Sequence, residues 1–191
     1  MWDFVCQRYP VRPERNAHIL AGVSMGGAAA FNFGIRHRDA FGIVLGIHPP
    51  LNLRWADVDG NPRAKFDPRR WGWRTGFDNP NEILANFGGV FKVRMGNMAG
   101  PVFGVGDEAL LNIAANNPLE LVLKTGLRNG DLSMFVGYGG RDEFNIDAQV
   151  DSFLYYSKFK GIGVAVAFEP DGRHAGINAM KLLPSAMRWL A

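Results

Sequence analysis

His18-Ile19-Leu20-Ala21-Gly22-Val23-Ser24-Met25-Gly26-Gly27 is the stretch that decides the fold. It opens as a short apolar run, His18–Val23, and breaks at Gly22-x-Ser24-x-Gly26. An Ala-rich stretch with Phe31, Phe33 and Ile35 follows and runs to His37. Apolar run, glycine turn and helical stretch read as a buried strand that turns sharply into a helix. Such a turn strains the backbone at its central residue, and side chains at the flanking positions would collide with it. The turn lifts the Ser24 oxygen above the sheet edge. It also aims the backbone N–H of Met25, at the positive end of the helix, into the space in front of that oxygen. A serine held this way is a candidate nucleophile. The competing reading, a Gly-rich turn with an incidental serine, loses weight once strand and helix flank the motif.

Working outward, residues 1–9 carry Trp2, Val5, Cys6 and Tyr9 at helical spacing, and Pro10 and Pro13 close that helix. Residues 41–47 (FGIVLGI) form a second buried strand, stopped by Pro49 and Pro50. Residues 52–130 behave differently: they are rich in Arg, Trp, Gly, Asn and Pro and begin without clear periodicity. Helices are expected inside them at 81–86, 107–115 and 118–127, the last with Asn117 as N-cap and Pro118 at the first helical position. The sheet pattern resumes with a strand at 132–138 (LSMFVGY), a helix at 147–160 ended by Gly161, and a strand at 162–168 (IGVAVAF). Residues 176–190 are helical, with Pro184 restarting the helix. The expectation is an α/β fold of about four parallel strands with flanking helices. Its large insertion at 52–130 has the size of a functional lid rather than a plain loop.

Bulk properties exclude more than they assign. Apolar residues make up 47% and charged residues 20%, the composition of a soluble globular chain. No apolar run is long enough to span a membrane, and Asp3, Gln7 and Arg8 interrupt the only apolar stretch near the start. The formal charge of +3 is too small to argue for nucleic acid. The basic cluster Arg63, Lys65, Arg69, Arg70 and Arg74 is interleaved with Asp57, Asp59, Asp67 and Asp78. With Trp71 and Trp73 it reads as a solvated lid surface, or else as a site for an anionic or sugar substrate. Asp57-Val58-Asp59-Gly60-Asn61 lacks the spacing of a calcium loop and reads as a turn. No metal or cofactor is expected. The single cysteine, Cys6, leaves the compartment open between cytoplasm and secretion.

A serine hydroxyl needs a base, and the base an orienting carboxylate. Two loops at the C-terminal ends of later strands supply them: Gly139-Gly140-Arg141-Asp142-Glu143-Phe144, and Glu169-Pro170-Asp171-Gly172-Arg173-His174. Catalytic groups gather at this edge of parallel sheets. The order Ser24, Asp142, His174 matches serine, acid, histidine. Glu143, Asp147 and Asp171 are the competing carboxylates. Asp147 reads as the N-cap of the next helix and Asp171 as a turn residue. Among the other histidines, His18 and His37 sit in the wrong elements. His48, at the end of a strand, is expected to line the pocket and touch substrate.

On GVSMGG at 22–27, GGRDEF at 139–144 and GRH at 172–174, the chain resembles the esterase D-type branch of the α/β hydrolases. That branch includes S-formylglutathione hydrolases and feruloyl esterases. The resemblance implies a serine esterase working through an acyl-enzyme with the triad Ser24, Asp142, His174. The segment G-x-x-D-x-F favours Asp142 over Glu143, and the Met25 N–H becomes half of an oxyanion hole. Acyl transfer on the same fold and a non-catalytic fragment are the alternatives. A small-molecule or carbohydrate-linked ester is the implied substrate. Residues 52–130 lie outside the likeness, and Ala175 departs from it. Relatives place four strands and an oxyanion loop before the nucleophile strand. The expectation is therefore the C-terminal half of an α/β-hydrolase fold, partnered by its own N-terminal half or by a second copy.

Overall fold

The computed structural model describes residues 2–191. Helix α1 (Trp2–Arg8) leads through a single helical turn to β1 (Ile19–Val23), α2 (Met25–Arg36) and β2 (Ile43–Ile47). Two short hairpin-like pairs follow: β3 (Trp55–Ala56) with β4 (Gly72–Trp73), and β5 (Ile83–Phe87) with β6 (Phe91–Arg94). Helices α3 (Met95–Met98), α4 (Gly100–Phe103), α5 (Gly106–Asn116) and α6 (Pro118–Lys124) complete the segment. The chain then returns through β7 (Ser133–Gly139), α7 (Ile146–Phe159), β8 (Ala165–Glu169) and α8 (Gly176–Leu190).

The main sheet has four parallel strands in the order β1-β2-β7-β8. Its central strands are apolar on both faces because both faces are covered. Val44, Met134, Val136 and Tyr138 point to one side, into a core with Phe31 and Ile35 of α2, Leu119 and Val122 of α6, and Val150 and Phe153 of α7. Leu45, Ile47 and Phe135, offset by one residue, meet Ala179, Leu182 and Ala186 of α8 on the other. Gly34 allows α2 to lie on β2, since a Cβ there would fall 2.1 Å from Val44. The C-terminal ends of β1, β7 and β8 therefore emerge along one edge.

Several expectations need correction. Residues 81–86 are not helical: Ile83, Leu84 and Phe87 belong to a strand, and Gly88 and Gly89, both at positive φ, turn it back into β6. Six residues are too few for periodicity to separate strand from helix. Pro184 sits inside one continuous helix, at an exposed position where the carbonyl it leaves unbonded can face solvent. Asn117 does occupy the N-cap of α6 but makes no capping bond. Its side chain instead accepts from the Leu53 N–H and reaches Asn52 and Glu120. Asp147 is not the cap of α7. That position belongs to Asn145 in a left-handed conformation, and Asp147 pairs with Lys65. Of the first helix, Met1 lies outside the described residues. None of the helices among them is long and apolar enough to cross a membrane.

Candidate active site

Ser24 stands between β1 and α2 with φ 54° and ψ −126°, a conformation that costs a residue with a side chain energy. Its neighbours hold it there. The Ser24 N–H donates to Ile47 O at 2.8 Å, and the Ser24 carbonyl accepts from Gly27 and Ala28. A Cβ at Gly22 would lie 2.2 Å from the Gly26 carbonyl, and one at Gly27 would lie 2.9 Å from Pro49. The expected collision does not occur at Gly26, where a Cβ meets nothing within 4 Å. Close approach thus explains Gly22 and Gly27 but not Gly26. The Met25 N–H, at the first position of α2, has no carbonyl four residues back within the helix to bind.

The two later loops are built against each other. A Cβ on Gly139 would sit 2.3 Å from Gly172 O, so these backbones can meet only as glycines. Gly140 N donates to Glu169 O at 3.0 Å and Arg141 N to Gly172 O at 2.9 Å. Glu143 bonds the backbone of the histidine loop rather than the His174 ring. It accepts the His174 backbone N–H at 2.8 Å and pairs with Arg173 at 3.2 Å. Asp171 pairs with Arg141 across the same junction.

Between these anchors, His174 Nε2 lies 2.9 Å from Ser24 Oγ, and His174 Nδ1 lies 2.8 Å from Asp142 Oδ2. Asp142 Oδ1 accepts the Phe144 N–H at 2.9 Å, which fixes the carboxylate plane. The Asp142 side chain is fully buried, and burial alone would push its carboxyl up. The hydrogen bond from His174, the His48 ring close by, attraction to His174 and the Phe144 N–H outweigh that and hold it below 3.8. The carboxylate is therefore ionised and acceptor-only, so His174 Nδ1 carries the hydrogen and Nε2 is free to accept from the serine.

His48 does not line the pocket. It is 1% exposed, has φ 48°, and packs its ring 5.5 Å from that of His174, with Nδ1 3.4 Å from Asp142 Oδ2. Its backbone N–H bonds Gly137 O, which turns the side chain beneath the acid instead of toward solvent. His48, Asp142 and His174 are the one cluster among the described residues that could be considered for a metal, with ligand atoms within 4.8 Å of one another. Two zinc bonds span at most about 4.2 Å, and the shortest pair here is already a hydrogen bond, so the cluster fits a metal poorly.

Ser24 opens onto a cavity of about 110 Å³. Met25, Phe77, Leu84, Met95, Met98 and Phe103 give it apolar walls; Asn52, Arg63, Arg74, Glu82 and Gln149 are polar. Sequence reasoning missed Gln149 and Asn52, whose places depend on how α7 and the β2 exit loop pack. The basic cluster is largely neutralised locally. Arg74 pairs with Glu82, Arg70 with Asp59, Arg69 with Asp67 and Lys65 with Asp147. Arg63 and Lys65 also reach carbonyls of Glu143 and Gly140, tying residues 63–65 to the acid loop. Asp57 Oδ1 accepts the N–H groups of Asp59 and Asn61, closing a turn.

Solved structures share this arrangement of chain at low identity. A ferulic acid esterase superposes with TM-score 0.60 at 19% identity, covering 99% of this chain and 56% of that one. Fluorophosphonate-binding serine hydrolase F of Staphylococcus aureus gives 0.60 at 14%, covering 99% and 60%. An S-formylglutathione hydrolase from Agrobacterium tumefaciens gives 0.59 at 14%, covering 98% and 52%. These likenesses show the α/β-hydrolase fold, and the chain spans between half and two thirds of the length of each. No curated protein matches. The family described as "Putative esterase" matches residues 1–160, most of the chain and the whole nucleophile and acid-loop region, and this chain belongs to that family.

Proposed function

We propose that this chain carries the catalytic centre of a serine esterase that cleaves a carboxylic ester through an acyl-enzyme. The observation that carries the reading is the relay from Ser24 Oγ through His174 to Asp142, at 2.9 and 2.8 Å. His174 Nε2 takes the Ser24 proton as Oγ attacks the ester carbonyl carbon. The carbonyl oxygen becomes an oxyanion that receives the Met25 N–H. Collapse breaks the bond to the leaving alcohol, which takes the proton from His174. Water then loses a proton to His174 and attacks the acyl carbon, and breakage of the acyl bond returns that proton to Ser24 Oγ and frees the acid. Asp142 stays ionised throughout and keeps His174 in the tautomer that can accept.

The substrate in this reading is a small-molecule or carbohydrate-linked ester with an apolar portion, matching walls built from Met and Phe side chains. Residues 52–130 act as the lid, since both hairpins and α3 to α5 contribute to the cavity or its rim. A fluorophosphonate probe should label Ser24, and short aryl esters should be hydrolysed. Ser24→Ala should abolish labelling and lower turnover by several orders of magnitude. Labelling at another residue, or turnover unchanged in Ser24→Ala, overturns the proposal.

A further inference from the structure

His48 is the most constrained side chain that the mechanism above leaves unused. It lies at 1% exposure with φ 48°, in the left-handed region that non-glycine residues avoid. Both ring nitrogens are buried without a hydrogen-bond partner among the described residues. Buried unpartnered nitrogens and a left-handed backbone both weigh against stability, so an apolar residue or a glycine would serve packing better here. What the position offers is proximity. The ring meets that of His174 edge to face at 5.5 Å, and Nδ1 lies 3.4 Å from Asp142 Oδ2, the oxygen that also accepts from His174. At that distance the contact is longer than a formed hydrogen bond. A small movement of the carboxylate closes it, and catalytic hydrogen bonds commonly tighten only when substrate is bound.

We infer that His48 is a positioning residue for the triad acid: its Nδ1–H is a second donor to Asp142 Oδ2 that holds the carboxylate on the His174 axis while His174 carries the proton. Without it, Oδ2 has one side-chain donor, and the carboxylate is restrained only by the Phe144 N–H on its other oxygen. When His174 becomes cationic it pulls on Oδ2, and a carboxylate free to rotate would follow it and tilt the imidazole away from Ser24. The inference rests on Ser24 being the nucleophile.

Asn and Leu have nearly the same shape, and the Asn side-chain N–H₂ falls where the histidine Nδ1–H does. Asn is also the residue that best tolerates a left-handed backbone. His48→Leu should lower kcat for an aryl ester, and the rate of fluorophosphonate labelling, by about 10- to 100-fold with KM nearly unchanged. His48→Asn should stay within a few-fold of wild type. If the Leu variant does not fold, His48→Gly removes the ring at no backbone cost. Added imidazole should then restore the rate, and benzene, a flat aromatic ring slightly larger and without an N–H, should not. A Leu variant as fast as wild type, an Asn variant as slow as Leu, or equal rescue by benzene overturns the inference. Wild type that is never labelled at Ser24 overturns this inference and the esterase reading together. Labelling at Ser24 with indifferent His48 variants removes this inference alone.

Discussion

Asp142→Asn tests the acid without changing its size. The carboxylate accepts at both oxygens: Oδ1 from the Phe144 N–H at 2.9 Å and Oδ2 from His174 Nδ1 at 2.8 Å. An amide has one accepting oxygen, so one donor must lose its partner. If the oxygen stays with Phe144, the amide N–H₂ faces His174 and forces the hydrogen onto Nε2. A protonated Nε2 cannot accept from Ser24, and the same tautomer error in the chymotrypsin-type triad costs about 10⁴ in kcat. We expect a loss of about 10³ to 10⁴, equivalent to roughly 4 to 5 kcal/mol of transition-state stabilisation. If the oxygen turns to His174 instead, N–H₂ meets the Phe144 N–H in a buried site, and stability falls by about 1–3 kcal/mol. The assay is aryl-ester turnover and fluorophosphonate labelling alongside thermal unfolding. A variant that melts with wild type and reacts within about tenfold of it would refute the assignment of Asp142.

Two further substitutions probe the scaffold. Gly22→Ala places a methyl 2.2 Å from backbone atoms of Gly26 and should prevent accumulation of folded protein, whereas Gly26→Ala meets nothing within 4 Å and should melt close to wild type; thermal unfolding separates them. Asp151 accepts the Tyr138 O–H at 2.6 Å, and burial, with Asp147 nearby, pushes its carboxyl above 3.8. A raised carboxyl favours the folded state only while protonated, so that contribution is complete below about pH 3.8 and is lost as pH rises through the folded value. Asp151→Asn keeps the acceptor for Tyr138 and should raise the melting temperature at neutral pH, with the gain disappearing in acid.

Legibility in the sequence followed the range of the interactions. The β1–Ser24–α2 unit could be read because its strand, turn and helix are contiguous and the turn needs glycine at residue 22. The order of Ser24, Asp142 and His174 could be read because each ends an element at the same sheet edge. Glu143 could not be separated from Asp142 by residue type alone. Packing of Gly139 on Gly172 sets which carboxylate faces inward, leaving Glu143 to hold the His174 backbone. His48 was misassigned for a related reason: a strand end predicts proximity to the site, but only the φ of 48° turns the ring beneath Asp142. Asp147 looked like a helix cap until Lys65, remote in sequence, took its carboxylate.

The four-stranded sheet ends in two edge strands, β1 and β8, and β1 is the one beside Ser24. That strand bonds only β2 among the described residues, leaving its other edge open. Helix α8 packs mainly on β2, β7 and β8, and on β1 Ile19 and Val23 are 44% and 53% exposed while Ile47 on β2 is 1% exposed. An open parallel edge beside an uncovered apolar face favours pairing with another strand, from a further segment of chain or from a second copy. The protein should therefore self-associate as its concentration rises, seen as a growing sedimentation coefficient. Ile19→Lys puts a charge on that face five residues from Ser24 and should oppose association, leaving labelling of Ser24 in the monomer unchanged. An upstream segment that closes the edge should also suppress association. If it brings a second oxyanion donor beside the Met25 N–H, it should raise turnover by about 10²–10³. A wild-type chain that stays monomeric at every concentration and sediments like Ile19→Lys would mean that the β1 edge is already protected, and the inference of a partner for it would fall.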